Sequence, residues 1–382
     1  MFKSALTYYE RSALTQEANL ADGHAYHNLH ESFNDIIVGL KDSWDWAKSH
    51  KIPEIEARFI QKWGELSKSP TMARHAEYLI CPTASNSIDI VGAYLACTRK
   101  RTALLLPCFD NLPLLMRRRN VNLVPILEDD LFILSSDKDA LSKYFLENSL
   151  DALFIVNPNN PTGMIFNENQ LANIADVCRE YTVILVIDAT FSFYDRRKPD
   201  YHKILDSSGV KYVIIEDSGK TFPTQDMKAS LMLFHSELKS AIQQIYEEIF
   251  LCVSPFSLEV ITRIVEKASE IGLEEVLWKE VDIRRTNFRN ILNQTNLEIA
   301  KKSIASVMPL EWIDCSATGF SDLEFVQHCK AFGLCLLPGR YFYWSSPDEL
   351  GHQFVRASLM KQDSVFELAL QRLREAVSSG WR

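Results

Sequence analysis

The chain has 382 residues, which suits a large and a small folded unit better than one core. Hydrophobic residues make up 47% and charged residues 24%, an ordinary balance for a soluble globular protein, and no run is long and apolar enough to span a bilayer. The net charge of −9 argues against nucleic acid as the main partner and imposes no global repulsion on a cationic small molecule.

The opening stretch, MFKSALTYYERSALTQ, lacks the apolar core and cleavage site of a signal peptide. The eight cysteines contain no CxxC pair, so free thiols and a cytoplasmic setting are expected. From about residue 45, short apolar runs alternate with amphipathic stretches such as Asn169–Tyr181. TALLLP (102–107), VNLVPIL (121–127), ALFIV (152–156), VILVID (183–188), YVIIED (212–217) and LMLFHS (231–236) are predicted strands. This alternation predicts an α/β unit with a mostly parallel sheet, whose ligands gather at the carboxyl ends of the strands.

Residues 236–268 are predicted as one long helical stretch. The pattern then turns α+β, with a helix near 270–293, strands near Ala305–Ile313, Gly333–Leu337 and Gln353–Leu359, and a closing helix. The expected organisation is a large domain over 45–265 and a smaller one built from 1–44 and 266–382. With 13 glycines and neither GxGxxG nor a Walker A loop, a nucleotide cradle of either common type is not expected.

Four features fall in order at the predicted strand ends: Asn157-Pro-Asn-Asn-Pro-Thr-Gly163, Asp188, Asp217-Ser218-Gly219-Lys220, and Arg356 within FVRASL. Each has a plain alternative. The heptapeptide can be a turn, Asp188 a helix cap, Lys220 a solvated side chain, and Arg356 the partner of some carboxylate. Together, in this order, they resemble the class I/II aminotransferases, the fold type I enzymes that use pyridoxal 5′-phosphate (PLP). The resemblance covers nearly the whole chain.

It implies a seven-stranded-type sheet domain, a smaller α+β domain and a homodimer. Lys220 would hold PLP as a Schiff base and Asp188 would face the pyridine nitrogen. Asn160 would donate to the phenolate oxygen, and Arg356 would take the substrate carboxylate as a planar fork. Phe109 matches the ring that stacks on PLP, with core packing as its alternative. Thr83-Ala-Ser-Asn-Ser87 matches the phosphate loop ahead of a helix, placing Ser85 and Asn86 beside the phosphate. Ser218 belongs to the Ser-x-Lys motif and joins the cofactor-binding set.

Three departures stand out. The phosphate loop has no glycine. The tyrosine usual three residues after the aspartate is Phe191, leaving Thr190 as the nearby hydroxyl. The arginine usual eight residues after the lysine is Lys228, which keeps the charge and loses the fork.

The segments Leu6-Thr-Tyr-Tyr-Glu10 and Asn19-Leu-Ala-Asp-Gly-His24 further resemble the opening of PLP- and O2-dependent L-arginine oxidases and hydroxylases of natural-product biosynthesis. That likeness implies an N-terminal helix over the site. Thr7, Glu10 and Asp217 would lie on the guanidinium, and Asp22 and His24 at the pocket mouth. A buried guanidinium does need carboxylate partners, and a histidine titrates near neutrality. The alternatives are a solvated helix face for Glu10, a hydrogen-bonded strand end for Asp217 and an ordinary loop position for His24. O2 is the expected co-substrate. An ordinary aminotransferase, a lyase on the same fold and a non-catalytic binding fold are the rivals.

Overall fold

The computed structural model describes residues 5–75 and 77–380. A helix at Ala5–Ala13 is followed by β1 (Ala18–Asn19), which pairs with a late part of the chain. The next seven strands, in chain order, form one sheet: β2 (Tyr78–Cys81), β3 (Arg101–Leu106), β4 (Asn122–Leu127), β5 (Ala152–Val156), β6 (Ile184–Asp188), β7 (Tyr212–Asp217) and β8 (Ser230–Phe234). Their spatial order is β2-β8-β7-β6-β5-β3-β4. The pairs from β7 through to β4 are parallel, and β8 runs antiparallel to both of its neighbours.

Every residue of β5, β6, β7 and β8 is buried, as strands covered by helices on both faces must be. Alternate residues serve opposite faces. Phe154, Ile184 and Val186 pack with Ile88 and Val91 of the helix Ala84–Cys97. Leu153, Ile155, Leu185 and Ile187 pack with Leu171, Ile174 and Val177 of the helix Glu168–Glu180. Each such side chain contributes about 1.5–3 kcal/mol by leaving water.

Register places the chemistry. Val156 sits beside Asp188, Asp188 beside Ile215, and Ser230 beside both Asp217 and Cys81. The chain leaving β2, β5, β6 and β7 therefore emerges along one edge.

The C-terminal part carries β9 (Glu298–Ile299), β10 (Leu310–Asp314), β11 (Leu334–Cys335), β12 (Leu337–Pro338) and β13 (Phe354–Ser358). Four of these make an antiparallel sheet in the order β12-β13-β10-β9, while β1 pairs with β11 in parallel. Leu20 completes the lacing: its N–H donates to the Cys335 carbonyl at 3.0 Å, and its carbonyl accepts from Ser358 N–H at 2.8 Å. Among the described residues, no helix is long and apolar enough to cross a membrane.

Several expectations are corrected. The run 236–268 is not one helix. It divides into Lys239–Glu247 and Pro255–Ile271, because Pro255 fits a first turn and Ser254 caps it through Ser257 N–H. The helix expected near 270–293 opens as a π-helical turn at Glu274–Trp278 and continues as Lys279–Leu292. Of Ala305–Ile313 only Leu310 onward is strand, and Gly333–Leu337 splits between two sheets. β2 was not predicted; four residues carry too little pattern to stand out.

Gly339 N–H donates to the Phe354 carbonyl at 2.8 Å where β12 turns away from β13. A methyl group at this position would strike the carbonyls of Phe354 and Gly351, which are backbone and cannot swing aside. Gly339→Ala is expected to destabilise the fold by about 1–3 kcal/mol, read as a lower urea midpoint at unchanged slope.

Candidate active site

A cavity of about 270 Å³ opens at the sheet edge where the carboxyl ends converge. Lys220 stands in it on the turn Ser218–Lys220 that follows β7. Its backbone carbonyl accepts from the Tyr194 hydroxyl at 2.8 Å, which fixes the turn. Asp188 ends β6 and accepts from Thr190 N–H at 3.1 Å. Burial raises its pKa to about 6, against the opposing hydrogen bond from Thr190.

Asn160 comes from the loop after β5. That loop is fastened by the buried Glu128, whose carboxylate accepts from Asn159 at 2.5 Å and from Thr162 at 2.6 Å. The helix Ala84–Cys97 points its first turn at the cavity, with Thr83 as its cap and Ala84 and Ser85 on the wall. Ser85 accepts from Asn111 at 3.2 Å.

Asp217 lines the cavity and is also a hydrogen-bonded strand end. Its two oxygens accept from Ala84 N–H at 2.8 Å and Gly219 N–H at 2.7 Å. Burial raises its pKa, with Lys220 pulling the other way. Lys228 passes over Gly219, where a side chain would come within 2.8 Å of the lysine Cδ. Its ammonium bonds Asp226 at 3.0 Å and lies 3.2 Å from His24 Nε2.

The N-terminal helix covers one side. Leu6 is buried and its N–H donates to Asp110 at 2.9 Å. Thr7 and Glu10, three residues apart on one helical face, reach the cavity wall. Glu10 is therefore not a solvated-face residue: it meets Arg356 at 3.4 Å. Arg356 is fully buried in β13, donates to the Ala21 carbonyl and to Asn160 Oδ1 at 3.3 Å, and lies 5.8 Å from the Phe109 ring. Burial lowers its pKa, while Glu10 and Asp22 oppose that. Phe109 itself lines the cavity.

Three of the sequence-derived residues do not line the cavity. Asp22 sits behind His24 and accepts from its Nδ1 at 2.5 Å. Asn86 is engaged with Thr83, its amide oxygen accepting from the Thr83 hydroxyl at 2.8 Å. Ser218 is fully buried and accepts from Ala229 N–H at 3.0 Å. The remaining ones, Lys220, Asp188, His24, Ser85, Phe109, Asn160, Thr190, Lys228, Thr7, Glu10, Asp217 and Arg356, do meet on its wall. The sequence reading missed Asn111, which follows Phe109 closely enough that its proximity offered the only signal.

The family model for aminotransferase class I and II matches residues 45–373. The chain belongs to this family. It is a PLP-dependent enzyme of the fold type I architecture. A solved structure of MppP soaked with the product 2-ketoarginine is similar at TM-score 0.86 and 29% identity, covering 94% of this chain and 99% of that one. Aspartate aminotransferase from Thermus thermophilus with maleate shares the fold at TM-score 0.80 and 15% identity, over 98% and 97% of the two chains. Among curated proteins, the LL-diaminopimelate aminotransferase of Maridesulfovibrio salexigens is 26% identical over 271 residues, 68% of this chain and 62% of that one. The matched stretches span 55% to 62% of the first curated relatives.

Asp188 gives a stability prediction. Its folded pKa of about 6 exceeds the ordinary 3.8, so the folded state binds the proton more tightly than the unfolded one. In cofactor-free protein its contribution is therefore greatest below pH 4 and is lost as pH rises towards 7, by on the order of 3 kcal/mol. Urea unfolding at several pH values should show this decline in the native sequence and a flatter profile in Asp188→Asn.

Proposed function

We propose that this enzyme is a PLP-dependent, O2-using oxidase or hydroxylase of L-arginine that releases a 2-keto acid, working as a homodimer in natural-product biosynthesis. The observation that carries the reading is the carboxylate of Glu10, brought by the N-terminal helix onto the cavity wall. The likeness to MppP, whose structure was soaked with the product 2-ketoarginine, supports it.

The residues fit PLP. Lys220 offers the amine, Asp188 a buried carboxylate for a pyridinium nitrogen, and Asn160 an amide for the phenolate oxygen. Ser85, the first turn of the helix Ala84–Cys97 and Lys228 supply anion-binding groups for a phosphate. Phe109 supplies an aromatic wall, and Thr190 the hydroxyl that Phe191 lacks. Asn86 and Ser218 hold the backbone on either side. Bound there, PLP supplies an electron sink for the carbon bearing the substrate amine.

The chain's own residues do the rest. Arg356 parts from Glu10 to receive the α-carboxylate, and Glu10 with Thr7 receives the guanidinium, Asp217 adding negative potential nearby. The Lys220 amine takes the α-proton. His24, oriented by Asp22, holds a water at the mouth. In the two-electron outcome arginine, O2 and water give the 2-keto acid, ammonia and hydrogen peroxide. A hydroxylated keto acid consumes a second O2 and a second water and releases a second peroxide.

The rival is amino transfer to a keto acid, favoured by the activity named for the curated relatives. With PLP and L-arginine but no keto acid, an oxygen electrode should register uptake over many turnovers, with a keto acid seen by mass spectrometry. No uptake, together with amino transfer once 2-oxoglutarate is added, sinks the oxidase reading. Glu10→Gln should lower kcat/KM for arginine by about 10- to 100-fold, the worth of one charge-assisted contact. Its kcat/KM for norleucine, which has no distal cation, should change far less.

A further inference from the structure

Lys361 follows β13 by three residues and keeps only 3% of its surface exposed. It lies off the cavity wall, and nothing in the sequence marked it. Its ammonium donates to the backbone carbonyl of Asp22 at 2.5 Å and stands 3.7 Å from Asp22 Oδ2. The Tyr26 ring lies 5.4 Å away.

The two oxygens of Asp22 are divided. Oδ1 takes both His24 N–H at 3.0 Å and His24 Nδ1 at 2.5 Å, while Oδ2 has no hydrogen-bond donor and faces Lys361. An ionised carboxylate only accepts, so His24 carries its proton on Nδ1 and turns Nε2 towards Lys228 and the cavity. Burying an unbalanced carboxylate is strongly unfavourable, and Lys361 is the cation that balances this one.

We propose that Lys361 is a positioning residue for His24, acting through Asp22. Its ammonium keeps Asp22 ionised while the His24 ring is neutral. The charge balance around it agrees. Burial brings the Lys361 pKa down to about 8, with Asp22 holding it up, so the amine keeps its proton at neutral pH. Burial alone would raise Asp22, but His24 and Lys361 hold it well below the usual carboxylate range. Arg356, Glu10 and Lys220 also face Lys361, and Asp22, Tyr26, Lys228 and Asp226 surround His24.

The inference rests on the proposed role of His24, but its test needs no turnover. Holoenzyme labelled with 15N-histidine is followed across pH without substrate, and His24 is assigned by its loss in His24→Gln. Lys361→Met should move the His24 titration midpoint up by about one unit, because the unbalanced carboxylate then holds the ring proton more tightly. Asp22→Asn should move it down, and Lys361→Arg should leave it near the parent. The visible PLP band and the thermal midpoint report whether each variant is folded. If Lys361→Met does not fold, Lys361→Gln, which keeps a donor for the Asp22 carbonyl and loses the charge, should show the same upward shift, and a folded Lys361→Gln that titrates with the parent overturns the proposal. A folded Lys361→Met that titrates with the parent overturns the proposal, as does an Asp22→Asn without a downward shift. Failure to oxidise arginine would remove the functional reading and leave this shift in place.

Discussion

A guanidinium with no exposed surface has to be answered by oxygen atoms, and Arg356 draws them from three separate parts of the chain. The N-terminal helix supplies Glu10, the segment after β1 supplies the Ala21 carbonyl, and the loop after β5 supplies Asn160. Arg356 is itself fixed at the middle of the C-terminal sheet, with Trp312 across the ladder on one side and Leu337 on the other. Removing the charge would take one contact from each of the three segments at once. The position of the N-terminal helix is therefore coupled electrostatically to a strand more than three hundred residues later.

Two aspartates on the cavity wall and one behind it stand in three different environments, and environment alone separates them. Asp188 has an amide for company and is pushed up by burial to about 6, which suits a carboxylate waiting for a cationic partner. Asp217 has both oxygens on backbone N–H groups and serves as the clamp between the helix Ala84–Cys97 and the Lys220 turn. Asp22 has a histidine and a lysine and lies far below the usual range. A residue type by itself predicts none of this; the partners do.

How much of this the sequence disclosed follows from where the information is local. The buried parallel strands were legible because covering both faces forces continuous apolar runs, and the residues directly after them were legible because the chain must leave the sheet there. Asp188, Lys220 and Asn160 were found in that way. The edge strand β2 was not, since four residues, two of them partly exposed, leave little trace. Pro255 divided a stretch that otherwise lacked a strong break. Asp22 was read as a pocket-mouth residue, but it stands one layer back because His24 occupies the wall. Lys361 and Asn111 escaped because their meaning depends on distances between remote segments.

The N-terminal forty residues carry the strongest argument for specialised chemistry. The fold that the family shares cannot by itself select a substrate. Ahead of the residues matched by the family model stand a helix whose Thr7 and Glu10 face inward and a following segment that is hydrogen-bonded to β11, to β13 and to the Lys220 turn. Ala25 N–H donates to the Gly219 carbonyl at 3.2 Å, and Tyr26 N–H donates to the Met360 carbonyl at 3.0 Å. That lacing makes His24 a fixed feature of the wall, because its neighbours on both sides are tied down. Its Nδ1 faces Asp22 and its Nε2 faces Lys228, so a water held by His24, as proposed, would take the place of the Lys228 contact. In the function proposed above, specificity and water control would both fall to this one short segment, while the sheet supplies the site on which both act.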